Sequence, residues 1–207
     1  MFLKKYFGHT KKEKQLCIIG VAGLESGCGA THFTFCAANY LSNVRRKKVA
    51  VFNMSSKQDY RQAKIILNNK DDNDETCYDF AGITFFAEAC ENMIAGCEKE
   101  YDYLILDLGS RFNEYKKILL RCNVRIIIGA FNQWRIKSFV LAVSELKDLL
   151  KCNVLECICT FYSKKGLKVY KDLVSKEVKL MPFEPDPFKI HKDMIAFMDG
   201  VFKNATD

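Results

Sequence analysis

The residues best suited to do chemistry are the glycine-rich run Gly20-Val-Ala-Gly-Leu-Glu-Ser-Gly-Cys-Gly-Ala-Thr-His32. Glycines at this spacing let successive backbone N–H groups turn into one concavity, and such a concavity binds phosphate or another anion. A helix opening at the end of the run would add the partial positive charge of its N-terminus. Ser26, Gly27, Cys28, Gly29, Ala30, Thr31 and His32 are therefore the candidate phosphate-contacting residues. Plainer readings stand beside this one: the glycines close a tight strand-to-helix turn, Thr31 is an early helix residue, and His32 has a structural place in the first helical turn. Other chemistries find little support. His9, His32 and His191 are the only histidines, and no Ser/His/Asp nucleophile arrangement or dinuclear metal spacing accompanies them. Among ten cysteines, Cys152, Cys157 and Cys159 form the tightest group, without CxxC spacing or a nearby histidine. Several of the ten sit in apolar strand-like runs, where Cys behaves as a small hydrophobe, and this usage fits a reducing cytosol.

The elements that must position the run are written in the hydrophobic pattern. Residues 15–23 read as a buried strand entering the glycine turn, and 31–43 carry the apolar spacing of the following helix. Further strand-like runs fall at 48–53, 78–86, 103–107, 124–129, 154–161 and 178–181. Helical patterns lie between them, including 58–67, and a last helix is expected over 188–202. The polar stretch 68–75 is a solvated loop. Alternation of apolar strands with helices predicts a single three-layer α/β domain with a mainly parallel central sheet. Ligands of such sheets bind at the carboxyl ends of the strands, where the glycine run is placed.

A chain of 207 residues, 49% apolar and 28% charged, is sized for one globular domain. The expected division is a basic N-terminal leader over 1–14 and one domain over 15–207. Apolar runs fall far short of the ~20 residues of a membrane span, and the start lacks the features of a secretory signal. A cytoplasmic location is the expectation. The net charge of +7 is concentrated at Lys4, Lys5, Lys11, Lys12 and Lys14 and at residues 45–48. Solvated surface is the plain reading of these clusters; weak electrostatic contact with DNA or an anionic membrane is the other.

Residues 25–31, Glu-Ser-Gly-Cys-Gly-Ala-Thr, resemble the deviant P-loop KGGxGK[ST] of the ParA/MinD ATPases. Gly27, Gly29 and Thr31 match, while the signature lysine falls on Glu25 and the phosphate-gripping lysine on Ala30. The resemblance continues at 52–57, where Asn53 and Ser55 stand in place of two aspartates, and at Tyr-Asp-Tyr-Leu-Ile-Leu-Asp over 101–107, similar to the family's Walker B strand. It implies Asp107 at the metal-orienting position and Thr31 as a Mg ligand if nucleotide binds; the plain reading of Asp107 is a strand-end cap. Asn132-Gln133-Trp134-Arg135 follows a core strand, with Trp134 read as a packing or interface residue. The stretch 181–188, with Pro185, resembles the loop that flanks the nucleotide base, and 159–161 lacks the family's adenine-reading Asn.

The resemblance thus implies a ParA/MinD-like P-loop fold with degenerate motifs, similar to the pilus-positioning TadZ branch. Such a protein would act by binding a partner in localisation or regulation, without ATP turnover. No cofactor would be required, and a homodimer, if formed, would be independent of nucleotide. The alternative it leaves open is a nucleotide-binding switch that takes ATP or ADP with Mg and serves partitioning or pilus and secretion positioning. At ~5 Å and an effective dielectric of ~20, a carboxylate at Glu25 would repel each phosphate charge by about 3 kcal/mol.

Overall fold

The computed structural model describes residues 16–55, 59–68, 76–97, 99–132, 135–149, 154–174 and 176–203. The lysines between 4 and 14, Trp134 and Cys152 lie outside these residues, as does most of the polar stretch 68–75. Eight strands form one sheet in the order β3-β4-β2-β5-β1-β6-β7-β8. They are β1 (Cys17–Gly23), β2 (Val49–Asn53), β3 (Cys77–Phe80), β4 (Ile83–Phe86), β5 (Tyr103–Asp107), β6 (Val124–Phe131), β7 (Val154–Tyr162) and β8 (Lys179–Leu180). Every neighbouring pair is parallel except β3 and β4. The mainly parallel sheet expected from the pattern is therefore present, with β1 at its centre between β5 and β6.

Two expectations change. The run 78–86, read as one strand, is an antiparallel hairpin: Ala81 and Gly82 take φ of 51° and 75° and reverse the chain between β3 and β4. Positive φ at both central residues is the geometry whose twist suits a two-residue hairpin turn. The last helix, α7 (Lys192–Phe202), begins four residues later than expected, because 188–191 belong to the segment that precedes it. Here Glu184, whose side chain is 1% exposed, accepts from the His191 backbone N–H at 2.8 Å and faces its Nδ1 at 2.9 Å.

Side chains alternate between the two faces of the strands, as the period of two requires. On one face, Ile19, Val21, Val51, Ile105 and Ile126 are buried under α1 (Ala30–Asn39), α2 (Asp59–Asn68) and α7. On the other, Ala22, Phe52, Leu104, Leu106 and Ile127 are buried under α3 (Glu91–Cys97), α4 (Phe112–Arg121), α5 (Ile136–Leu149) and α6 (Lys164–Leu173). A π-helical turn, Tyr40–Val44, extends α1 toward β2. No helix among the described residues is long and apolar enough to cross a membrane. Cys122, Cys157 and Cys159 are buried in the second core, and burial pushes each thiol up to about 12. They pack as small hydrophobes, in keeping with the sequence reading. Among the described residues no group of three or more His, Cys, Asp or Glu is arranged to hold a metal ion.

Candidate functional site

The glycine run leaves β1 at the carboxyl edge of the sheet and turns into α1. Gly27 and Gly29 take φ of +74° and +91°, in the left-handed region that side chains disfavour, and Gly29 is the residue on which α1 starts. The loop is braced from below and beside. Gly23 N–H donates to Gly109 O at 2.7 Å and Leu24 N–H to Ile128 O at 3.0 Å, tying the exit of β1 to the ends of β5 and β6. Thr160, at the end of β7, donates its hydroxyl to Cys28 O at 2.7 Å, and a Cβ on Gly29 would lie 3.1 Å from the Thr160 methyl. Around Gly27 such a Cβ would meet nothing within 4 Å, so the loop is open on that side.

The result is a small cleft of about 140 Å³ lined by Glu25, Gly27, Cys28, Gly29, Ala30, Thr31, His32, Gly109 and Ser110. Six of the sequence-predicted residues meet there. Ser26 is exposed and Pro185 is exposed, and neither is among the lining residues. The volume is below the ~300–1,000 Å³ of pockets that enclose a whole small molecule. A wider groove of about 570 Å³ meets the cleft at Ser110 and runs between α4 and α5, past Leu24, Phe112, Leu141 and Glu145.

Asp107 lies beside the cleft, paired in register with Val21 of β1 and Asn53 of β2. It is fully buried. Its Oδ1 accepts from Gly109 N–H at 2.9 Å and its Oδ2 from the Tyr60 hydroxyl at 3.0 Å. One carboxyl therefore fastens both the turn that follows β5 and the start of α2. Asn53 and Ser55 make a second closed unit: Asn53 Oδ1 accepts from the Ser55 N–H at 3.0 Å and hydroxyl at 2.8 Å, while its amide donates to Ala87 O at 2.7 Å. Ser55 packs so closely on Gly109 that a Cβ there would come within 2.4 Å of Ser55 Cβ. With φ of +59°, Gly109 is a position that only glycine fills without strain.

Glu25 does not stand alone on the rim. Arg135, just before α5, places its Nε 3.0 Å from Glu25 Oε2, with the two side chains 38% and 26% exposed. The Arg135 backbone N–H is held by Asn132 Oδ1 at 3.1 Å. The negative charge that would repel a phosphate is thus compensated within the chain. The stretch 132–135 was visible in the sequence as following a core strand, but the reach of Arg135 to a residue 110 positions earlier was not. Thr160 and Tyr60 were missed for the same reason: each supports the site through contacts between residues far apart in sequence, with no local signature.

For a polyphosphate with Mg, the fit divides. The backbone suits it: an open glycine turn with positive φ at two positions leads into a ten-residue helix. Residues 25 and 30 themselves bring no positive charge to the loop, since Ala30 is apolar and Glu25 is anionic. Thr31 lines the cleft and could reach a metal there, whereas both Asp107 oxygens are engaged by protein donors.

No family model matches the chain, and no curated protein matches it. Solved structures do match its fold. A plasmid partition protein from Borrelia burgdorferi B31 bound to AMPPNP aligns with a TM-score of 0.64 over 91% of this chain and 98% of its own, at 17% identity. The septum site-determining protein MinD from Pyrococcus horikoshii OT3, complexed with Mg-ADP, gives a TM-score of 0.66 over 93% and 98%, at 14% identity. A chain of the MinC:MinD cell division protein complex from Aquifex aeolicus gives 0.58 over 89% and 86%, at 15% identity. At these identities the likeness is one of fold: a single α/β domain with the architecture of the ParA/MinD P-loop ATPases.

Proposed function

We propose that this chain uses the ParA/MinD fold to bind a protein partner in localisation or regulation, without turning ATP over, in the manner of the TadZ branch it resembles in sequence. The observation that carries the reading is where the site's polar side chains spend their hydrogen bonds. Glu25 is paired with Arg135, Asn53 and Ser55 close their own turn, and Asp107 fastens Tyr60 and the Gly109 N–H. Each of these contacts builds the loops: the one cation among them, Arg135, is neutralised by Glu25, and no carboxylate is left aimed at the cleft as an activating base. Hydrolysis depends on preorganised charge aimed at the transferring phosphoryl group. The surface supports the partner half of the reading. Phe183 is 87% exposed, Phe161 and Tyr162 are exposed at the end of β7, and Leu141 is exposed on the wider groove. These exposed apolar side chains are the candidates for a partner-facing surface.

A second reading is favoured by the loop itself. The glycine turn keeps an open, anion-accepting backbone, and two neighbours in fold are bound to AMPPNP and Mg-ADP. On that reading nucleotide binding alone, with Thr31 and Asp107 holding the Mg, switches the protein between states. Sedimentation with and without Mg-ATP separates the two. Partner binding without a nucleotide cycle predicts one unchanged oligomeric state, monomer or constitutive dimer, in both conditions. A dimer that forms only after ATP is added would put the switch reading first.

A further inference from the structure

Arg135 and Glu25 reach the rim of the cleft from different elements. Glu25 belongs to the glycine loop and lines the cleft; Arg135 belongs to the turn into α5, and its guanidinium lies one hydrogen bond, 3.0 Å, from the Glu25 carboxylate. Both side chains are partly exposed, and a pair of this kind contributes little to folding. Exchange of partners is therefore cheap. A polyphosphate is the stronger partner for a guanidinium, because it offers several charged oxygens that match the planar fork. Ala30 leaves the loop itself without a cation.

The geometry points to Arg135 as a phosphate-binding residue of the glycine-loop site, supplied from outside the loop and held in reserve by Glu25. A nucleoside polyphosphate binds when Arg135 exchanges the Glu25 carboxylate for phosphate oxygens. Glu25 then acts as a gate: its charge both repels the ligand and occupies the cation that would receive it. This rests on the reading that the loop still admits polyphosphate, and it is independent of whether ATP is ever hydrolysed.

The test is calorimetric titration of Mg-AMPPNP, and separately of tripolyphosphate, into the wild type, Glu25→Gln, Arg135→Gln and the double variant, each first checked for an unchanged melting temperature. Removing the gate should tighten binding by about tenfold or more, the scale of one charge near a phosphate. The decisive arm is Arg135→Gln in the Glu25→Gln background. If Arg135 contacts phosphate, affinity there falls by about tenfold or more, as for loss of a charge-assisted hydrogen bond. If Arg135 merely neutralises Glu25, the double variant stays within about twofold of Glu25→Gln, the size of a screened surface charge effect, and the inference is overturned. Tripolyphosphate that follows the same pattern assigns the effect to phosphate and not to the base. Failure of all four proteins to bind also overturns the inference, yet leaves the proposed partner-binding function standing. Release of phosphate from ATP would do the reverse.

Discussion

Asp107 shows at the scale of one residue how a motif position and a structural position coincide. Its carboxyl is fully buried and accepts from the Tyr60 hydroxyl and the Gly109 N–H. Removing a buried acceptor leaves donors unsatisfied, at about 1–3 kcal/mol each. Asp107→Ala should therefore lower stability by roughly 2–6 kcal/mol in urea unfolding; an unchanged midpoint would show that the carboxyl does not hold the fold. Asp107→Asn, which keeps an acceptor for Gly109, should cost less. The strand carrying Asp107 was legible in the apolar run 103–107, and in the fold it lies next to β1. Its partner was not: Tyr60 lies 47 residues away, and nothing in a local pattern encodes that contact. The same holds for Arg135, whose pairing changes Glu25 from a bare repulsive charge into half of an ion pair.

Among the elements, continuous apolar runs gave away the buried parallel strands, since a strand covered on both faces needs apolar residues at every position. The exceptions are where backbone conformation, not burial, decides. Ala81-Gly82 adopts a turn inside what reads as one strand, making β3 the sheet's antiparallel edge. At the other end of the chain, α7 starts at Lys192 because Glu184 holds His191 just before it. Sequence periodicity over 188–202 sees the apolar residues Phe188 and Ile190, which do pack on the core, but not that they do so from an irregular segment. Phe188 meets Phe35 of α1 and Phe80 of β3 through ring contacts at 5.6 and 4.9 Å. Loss of the buried anchor in Glu184→Ala should cost about 1–3 kcal/mol and lower hydrogen-exchange protection in α7 before the rest of the domain. Uniform protection across the sheet and α7 in that variant would argue that Glu184 is dispensable for docking the helix.

For the whole molecule, burial of thiols ties stability to pH. Cys36, Cys122, Cys157 and Cys159 are each raised from 9.0 to about 12, with burial the first cause in every case. A folded-state value above the unfolded one means that the unfolded chain loses its protons first as pH rises. The stability is fully present below pH 9 and drains away between pH 9 and 12. The buried Tyr78 and Tyr170 hydroxyls are shifted upward too and act in the same direction. The urea midpoint should therefore fall steadily above pH 9, with a shallower fall in a Cys122→Ala, Cys157→Ala variant; a flat profile up to pH 11 would contradict the burial. The sequence already placed several of the cysteines in apolar runs, where a thiol is chemically a small hydrophobe. Of the two basic clusters, residues 45–48 are exposed, and Arg45 pairs with Asp199 at 3.6 Å.

Absence of turnover is tested most directly by phosphate release from Mg-ATP by the purified protein, with Asp107→Asn, verified as folded, as the control for contaminating activity. Loss of one preorganised contact to a transferring group typically costs ~10²–10³ in rate, and on the proposed reading Ala30, Glu25, Asn53 and Ser55 each depart from what the reaction uses. The predicted result is release at background, equal in the wild type and the control. Release at the rate of an ordinary ParA-type enzyme, abolished by Asp107→Asn, would contradict it and show that the glycine loop acquires its missing charge from elsewhere when ATP is bound.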